Sequence, residues 1–415
     1  MLKDILIFQK REIERRLDEL YVERDFDFSR ARHDLIKVIL GPRRAGKSFF
    51  AMRLVRELGA FGYVNFDDER LTNLEDFDAL IAALDSVYDS PRHLLLDEVQ
   101  NLPRWELLVN RLQRQGYDLT VTGSNAHLLS SELATHLTGR HLPIVMFPFS
   151  FNECLRARGK ELTDNERAEA FRSYAEEGGY PEPLLKNAPR REYLTTMLHS
   201  ILYKDIVVRR RIRAPQGLED LTSYLMSNVA QRYSLNSLAK VTRLKSVRTV
   251  EKYLSHLEEA FLFFSVRRFS FKVRRQALAG RKIYCIDNGL VTSKSFRRAA
   301  DTGKLYENTV AIALRKKEME GALQFFYWQG AQQEEVDFVI KQGDRIASLI
   351  QVSVNLDNPH TKSREIRGLL KASEELGCDN LVILTDSEEG EEKAEWFGLR
   401  GTVRLLPVWK WLAAD

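Results

Sequence analysis

Residues 35–55 read Leu35-Ile36-Lys37-Val38-Ile39-Leu40, then Gly41-Pro42-Arg43-Arg44-Ala45-Gly46-Lys47-Ser48, then Phe49-Phe50-Ala51-Met52-Arg53-Leu54-Val55. The first run has the length and apolarity of a buried strand, and the last forms a helix. Between them stands G-x-x-x-x-G-K-S, whose glycines let backbone N–H groups crowd around phosphate oxygens. Gly41, Pro42, Arg43, Arg44, Ala45, Gly46, Lys47, Ser48 and Phe49 are therefore the expected nucleotide cradle. Lys47 reaches the terminal phosphates, and the Ser48 hydroxyl is placed to ligate Mg²⁺.

A second strand, His93-Leu94-Leu95-Leu96, ends in Asp97-Glu98. At the end of a strand neighbouring the cradle, Asp97 serves as the second Mg²⁺ group. Glu98 serves as the residue that orients or deprotonates an attacking water. Apolar strands ending in acids are common, and the pairing with Lys47 is what gives this one chemical meaning. The strand Phe61-Gly62-Tyr63-Val64-Asn65-Phe66 lies between the two motifs.

Outward from this centre, strands are expected at 35–40, 61–66, 93–97, 117–122 and 142–147, alternating with helices. That alternation predicts a parallel sheet covered on both faces, with chemistry at the carboxyl ends of its strands. The fourth strand ends in Thr122-Gly123-Ser124-Asn125, where Asn125 or Ser124 is read as a sensor of the γ-phosphate. Arg140, just before the fifth strand, is read as a phosphate contact, in its own subunit or a neighbour's.

The remaining organisation follows from pattern breaks. Residues 1–34 are a charged amphipathic helix and linker, with Leu6, Ile7, Ile13 and Leu17 as the apolar stripe. Residues 35–155 are the nucleotide-binding core, and 156–220 are helical. Gly178-Gly179-Tyr180-Pro181 breaks that helical stretch, and the basic run Arg209-Arg210-Arg211-Ile212-Arg213 closes it. Residues 221–290 resemble a winged helix, with helices starting near Ser234 and Ser246 and strands at 261–266 and 271–273. Arg267, Arg268, Lys272, Arg274, Arg275, Arg281 and Lys282, interleaved with Phe269 and Phe271, suit contact with a nucleic-acid backbone; winged helices also serve as protein-binding modules.

Residues 300–415 read as helix, three strands, helix and strand. This order resembles the PD-(D/E)xK nuclease fold, with Glu307 and Asp337 in acidic positions. The last motif departs from it: Gln351-Val352-Ser353 stands where acid-x-lysine is expected. A second metal site would thus consist of Glu307, Asp337 and the carbonyl of Gln351, with Lys341 or Lys362 as a displaced lysine. An altered, inactive nuclease fold is the favoured reading.

Composition sets bounds. Lys+Arg 63 against Asp+Glu 59 gives a net charge of +4, so any nucleic-acid surface is local rather than global. Cys154, Cys285 and Cys378 have no metal-type spacing and read as reduced thiols of a cytoplasmic protein. No apolar run approaches the roughly 20 residues of a membrane-spanning helix.

Taken together, the chain resembles an archaeal and bacterial family of AAA+-type ATPases that join a P-loop domain to a C-terminal domain of unknown function. Further motifs carry the likeness: Phe147-Pro148-Phe149-Ser150-Phe151-Asn152-Glu153, Tyr203-Lys204-Asp205-Ile206 and Glu335-Val336-Asp337-Phe338. The fold class implied is α/β: a P-loop NTPase sheet, a helical and winged-helix region, and an α/β nuclease-like domain. The resemblance implies ATP as the nucleotide. Three readings follow. The first is an Mg²⁺-dependent ATPase switch linked to DNA. The second is an ATP-gated nuclease, and the third a nucleotide-dependent DNA- or protein-binding module without turnover. An Arg140 acting in trans requires a homo-oligomer.

Overall fold

In the computed structural model, residues 2–124, 139–242, 244, 246–272, 274, 276, 279–294 and 302–414 are described. The chain divides into two compact units, one of residues 1–148 with 259–261, the other of 149–258 with 262–415.

The first unit is built on five parallel strands: β1 (Ile36–Leu40), β2 (Phe61–Asn65), β3 (His93–Asp97), β4 (Asp118–Gly123) and β5 (His141–Val145). Their order is β2-β3-β4-β1-β5. Strands β1, β3 and β4 are buried almost throughout because both faces are covered, as a parallel sheet requires. Helix α1 (Leu2–Arg16) buries Ile5, Leu6, Gln9 and Ile13. Gln9 is the polar member of that stripe for a reason. Its side chain accepts from the Asn65 N–H at 2.9 Å and donates to the Asn65 carbonyl at 3.1 Å, which satisfies the free edge of β2. Helices α2 (Lys47–Leu58), α3 (Phe77–Tyr88) and α4 (Trp105–Arg114) complete the unit.

The second unit contains two further sheets. A three-stranded sheet has the order β6-β8-β7, from β6 (Arg232–Tyr233), β7 (Phe263–Arg267) and β8 (Arg281–Cys285). The helices Pro215–Ser227, Leu235–Val241 and Val247–Glu259 accompany it. The strand expected at 271–273 is not formed by its described residues: Phe271 is 70% exposed and sits with Lys272 in a bend, and β8 is the pairing strand instead. Phe271 packs edge-on against Phe269, with ring centroids 5.2 Å apart, and enters no sheet.

The six-stranded sheet runs β13-β14-β12-β11-β10-β9. Its strands are β9 (Gln324–Gln329), β10 (Glu335–Gln342), β11 (Arg345–Val352), β12 (Leu381–Thr385), β13 (Gly390–Trp396) and β14 (Leu399–Pro407). The helix Thr302–Met319 covers one face through Tyr306, Val310 and Leu314, and the helix Pro359–Leu376 covers the other through Leu369, Leu370 and Leu376. The β13–β14 hairpin is an addition to the expected order. Phe151, Phe171 and Tyr306 join the helical segment to this core, so the segments read as 156–220, 221–290 and 300–415 lie in one unit.

Candidate nucleotide site and carboxylate cluster

The cradle forms because β1 must turn sharply into α2. Gly41 (φ +146°) lies so close to the residue that follows β5 that a Cβ would meet the Met146 carbonyl oxygen at 2.0 Å. Gly46 has φ 92° and caps α2, whose first-turn N–H groups point toward the loop. Lys47 is buried (4% exposed) and donates to the Pro42 carbonyl at 3.0 Å.

Asp97 lies at the carboxyl end of β3, fully within reach of the cradle. Its Oδ1 accepts from Ser48 Oγ at 2.9 Å and from Thr122 Oγ1 at 2.5 Å, and its Oδ2 accepts from Tyr63 at 3.2 Å. Burial and then the adjacent Glu98 push its pKa up, against the pull of those three hydroxyls. The residues fit a hard divalent cation: a hydroxyl and a carboxylate oxygen stand side by side at the mouth of a phosphate loop.

Glu98 has left-handed backbone (φ 51°), which turns its side chain away from the strand direction. Its Oε2 accepts from Gln100 Nε2 at 2.5 Å and from Ser124 Oγ at 3.0 Å, while Lys47 Nζ lies 4.0 Å from Oε1. Burial alone raises a carboxylate's pKa, but Lys47, Gln100, Ser124 and Arg43 outweigh it and hold Glu98 below its ordinary value. It is therefore ionised at neutral pH.

Lys47, Ser48, Asp97, Glu98 and Ser124 are thus brought together, whereas Asn125 lies outside the described residues. Arg140 is placed elsewhere. Its carbonyl accepts from the Ile36 N–H, so it sits at the amino end of β1, one strand length (about 16 Å) from the cradle. A contact from Arg140 to phosphate in its own subunit is excluded by that position. Sequence reading missed Arg24, an 8% exposed residue of the linker that donates to the carbonyls of Ala45 at 2.9 Å and Phe147 at 2.5 Å. Tyr63 and Gln100 were missed as well; nothing in their local sequence distinguishes them from ordinary strand and turn residues.

The second unit holds a different cluster. Glu307 and Asp337 do converge, but on a lysine. Lys282 Nζ, on β8, lies 2.8 Å from Glu307 Oε1, 2.6 Å from Glu335 Oε1 and 2.8 Å from Asp337 Oδ1. Its side chain is 2% exposed, so its expected role in a basic nucleic-acid surface is corrected to a buried ion-pair role. Burial opposes its charge, yet Asp337 and Glu307 keep its pKa well above the ordinary value. Glu307 is itself pushed up to about 8 by burial and by Asp337.

Gln351 is tied to the neighbouring strand. Its Oε1 accepts from the Asp337 N–H at 3.0 Å, while Asp337 Oδ2 accepts from the Val352 N–H at 3.0 Å. The two side chains replace ladder bonds where β10 and β11 separate beyond Phe338–Ile350. The β9–β10 ladder also slips between Val336 and Val339, a bulge that re-aims Asp337. Lys362 pairs with Glu392 at 2.6 Å and supplies no displaced lysine. Among the described residues, no group of three or more His, Cys, Asp or Glu is arranged to hold a metal ion.

A parallel sheet in this order, with a P-loop at β1 and adjacent carboxylates at β3, defines an AAA-type P-loop ATPase core. The model of the AAA domain family matches residues 33–155, and two models, each described as a domain of unknown function (DUF8612 and DUF4143), match 168–300 and 302–410. The chain belongs to the family of the uncharacterized protein MJ1544 of Methanocaldococcus jannaschii, to which it is 32% identical over 91% of its own length and 88% of the relative's. An uncharacterized protein of Haemophilus influenzae is 29% identical over 79% of this chain and 84% of its own. Among solved structures, the Walker-type ATPase PABY2304 of Pyrococcus abyssi is similar with a TM-score of 0.43 and 16% identity, covering 67% of this chain and 99% of that one. Among the described residues, no helix is long and apolar enough to cross a membrane.

Proposed function

We propose that the first unit binds Mg²⁺-ATP, hydrolyses it, and uses the cycle as a conformational switch. The observation that carries this is the 2.9 Å pairing of Ser48 Oγ with Asp97 Oδ1 beside an ionised Glu98. Lys47, now folded onto the Pro42 carbonyl, exchanges that partner for phosphate oxygens. The loop N–H groups fix the triphosphate, and Ser48 and Asp97 hold the cation. Bound Mg²⁺ supplies neutralisation of charge on the phosphate oxygens. Glu98 accepts a proton from the attacking water, and Gln100 and Ser124 fix its orientation until then. With Asn125 read as the sensor, Ser124 links that position to the base. Arg140, a strand length from its own cradle, is read as a contact to a neighbouring copy's nucleotide, a role that requires a homo-oligomer.

The output is read as DNA-linked. The order helix, β6, helix, helix, β7, β8, with β8 central in its sheet, supports a winged helix. Arg248 and Lys252 are exposed on the helix Val247–Glu259, and Arg274 is exposed between β7 and β8. Arg275 lies outside the described residues.

Phosphate release decides the central claim. Glu98→Gln is expected to bind ATP with unchanged affinity and lose turnover by about 100-fold or more. Lys47→Ala is expected to lose binding by calorimetry. Normal turnover in Glu98→Gln would remove Glu98 from the role of base.

A further inference from the structure

The carboxylate cluster of the second unit departs from what a metal-dependent nuclease requires, and the departure has a specific cause. An ammonium group has three donors. Here three carboxylate oxygens, from Glu307, Glu335 and Asp337, stand at 2.6–2.8 Å from one Nζ. These are N–H···O separations; a Mg²⁺ ion would draw its oxygens to about 2.0–2.1 Å. Two of the three oxygens left over are engaged. Asp337 Oδ2 accepts from Val352, and Glu335 Oε2 lies 3.4 Å from Arg232 Nε. Glu307 Oε1 also accepts from Tyr284 at 2.7 Å, and the Gln351 carbonyl oxygen accepts the Asp337 N–H. Lys282 has no route to solvent that would let it leave cheaply, because its side chain is 2% exposed and withdrawal would strand buried acids.

We infer that Lys282 is the resident cation of this cluster: it stands where a divalent ion would need to sit, so the cluster takes up no metal and does not cut nucleic acid. Its work is mechanical. Lys282 belongs to β8 of the three-stranded sheet, Glu335 and Asp337 to β10 of the six-stranded sheet, and Glu307 to the helix Thr302–Met319. One ammonium group therefore pins three elements, and a displacement of β8 is carried directly into the C-terminal sheet. This holds whether or not the first unit hydrolyses ATP.

Mn²⁺ titration of the nucleotide-free, full-length chain tests the assignment, followed by calorimetry and by the loss of free-ion electron paramagnetic resonance signal. Any Mn²⁺ uptake by the natural chain is expected to be the same in Asp337→Asn and in Glu307→Gln. Lys282→Met, which keeps the bulk and removes the charge, is expected to gain one Mn²⁺ site at least tenfold tighter, lost again on adding Asp337→Asn. Mn²⁺ is expected to raise the melting temperature of Lys282→Met and not that of the natural chain. Uptake by the natural chain that Asp337→Asn or Glu307→Gln abolishes would overturn the inference, as would a folded Lys282→Met that gains no site. Should Lys282→Met not fold, the comparison of the natural chain with the two acid variants still decides.

Discussion

Two lysines of this chain show how much a residue's meaning depends on what surrounds it. Lys47 and Lys282 are both buried, 4% and 2% exposed. The first rests on a neutral carbonyl in a loop built for anions, while the second is saturated by acids. Only the first was legible, because a P-loop writes its lysine into eight consecutive positions. The partners of Lys282 stand from 25 to 55 positions away, and in sequence it looks like one more member of a basic run. Lys37 is similar: it interrupts an apolar strand and is buried against Asp118 at 2.5 Å.

Asp287 carries a prediction at the same scale. It is buried, accepts from the N–H groups of Gly179 at 2.7 Å and Gly289 at 2.9 Å, and burial pushes its pKa up to about 6 against those bonds. Because the folded pKa lies above the ordinary 3.8, the folded state holds the proton more tightly. The resulting stability is fully present below about pH 4 and is lost as pH rises through 6. The shift corresponds to about 3 kcal/mol. Urea unfolding of the second unit at a series of pH values is expected to show this loss in the natural chain and not in Asp287→Asn. An identical pH dependence in both would reject it.

At the scale of elements, the close approaches are made by glycine. A side chain at Gly41 would strike the Met146 carbonyl, and its φ is one that other residues rarely adopt. Gly41→Ala is expected to cost about 1–3 kcal/mol and to weaken nucleotide binding at least tenfold, read by thermal unfolding and calorimetry on the same sample. Unchanged affinity would show that the loop tolerates displacement. The five parallel strands were legible because short runs of strand length, rich in apolar and β-branched residues, recur between helical stretches. The β13–β14 hairpin was not. Gly390–Trp396 is mostly charged, its pattern of half-buried and exposed residues has little apolar contrast, and its turn uses Phe397 and Gly398 at positive φ. The segment Ile201–Val208 reads as ordinary helix, yet it is a π-helix, whose wider hydrogen-bond spacing leaves no mark in composition.

At the scale of the whole molecule, two expectations concern other molecules. If Arg140 serves a neighbour's nucleotide, mixing Arg140→Ala with Lys47→Ala copies restores part of the ATPase rate that each lacks alone; no recovery would assign Arg140 to the surface. DNA retention by the full chain is expected to weaken with salt and to fall several-fold when Arg248, Lys252 and Arg274 are neutralised together. Retention that ignores both would point the winged-helix region toward a protein. The chemistry of the first site was readable because phosphate recognition is local in sequence; Arg140's distance from it was implicit as well, since a residue just before a parallel strand lies at the end opposite the loop.

Arg24 has a practical consequence. Its two anchors, Ala45 and Phe147, lie within the stretch matched as an AAA domain, but Arg24 itself precedes that stretch. A fragment trimmed to residues 33–155 would keep every phosphate-binding signature and lose the strut that braces it. Such a fragment is expected to grip nucleotide poorly, and its weakness would belong to the trimming rather than to the protein.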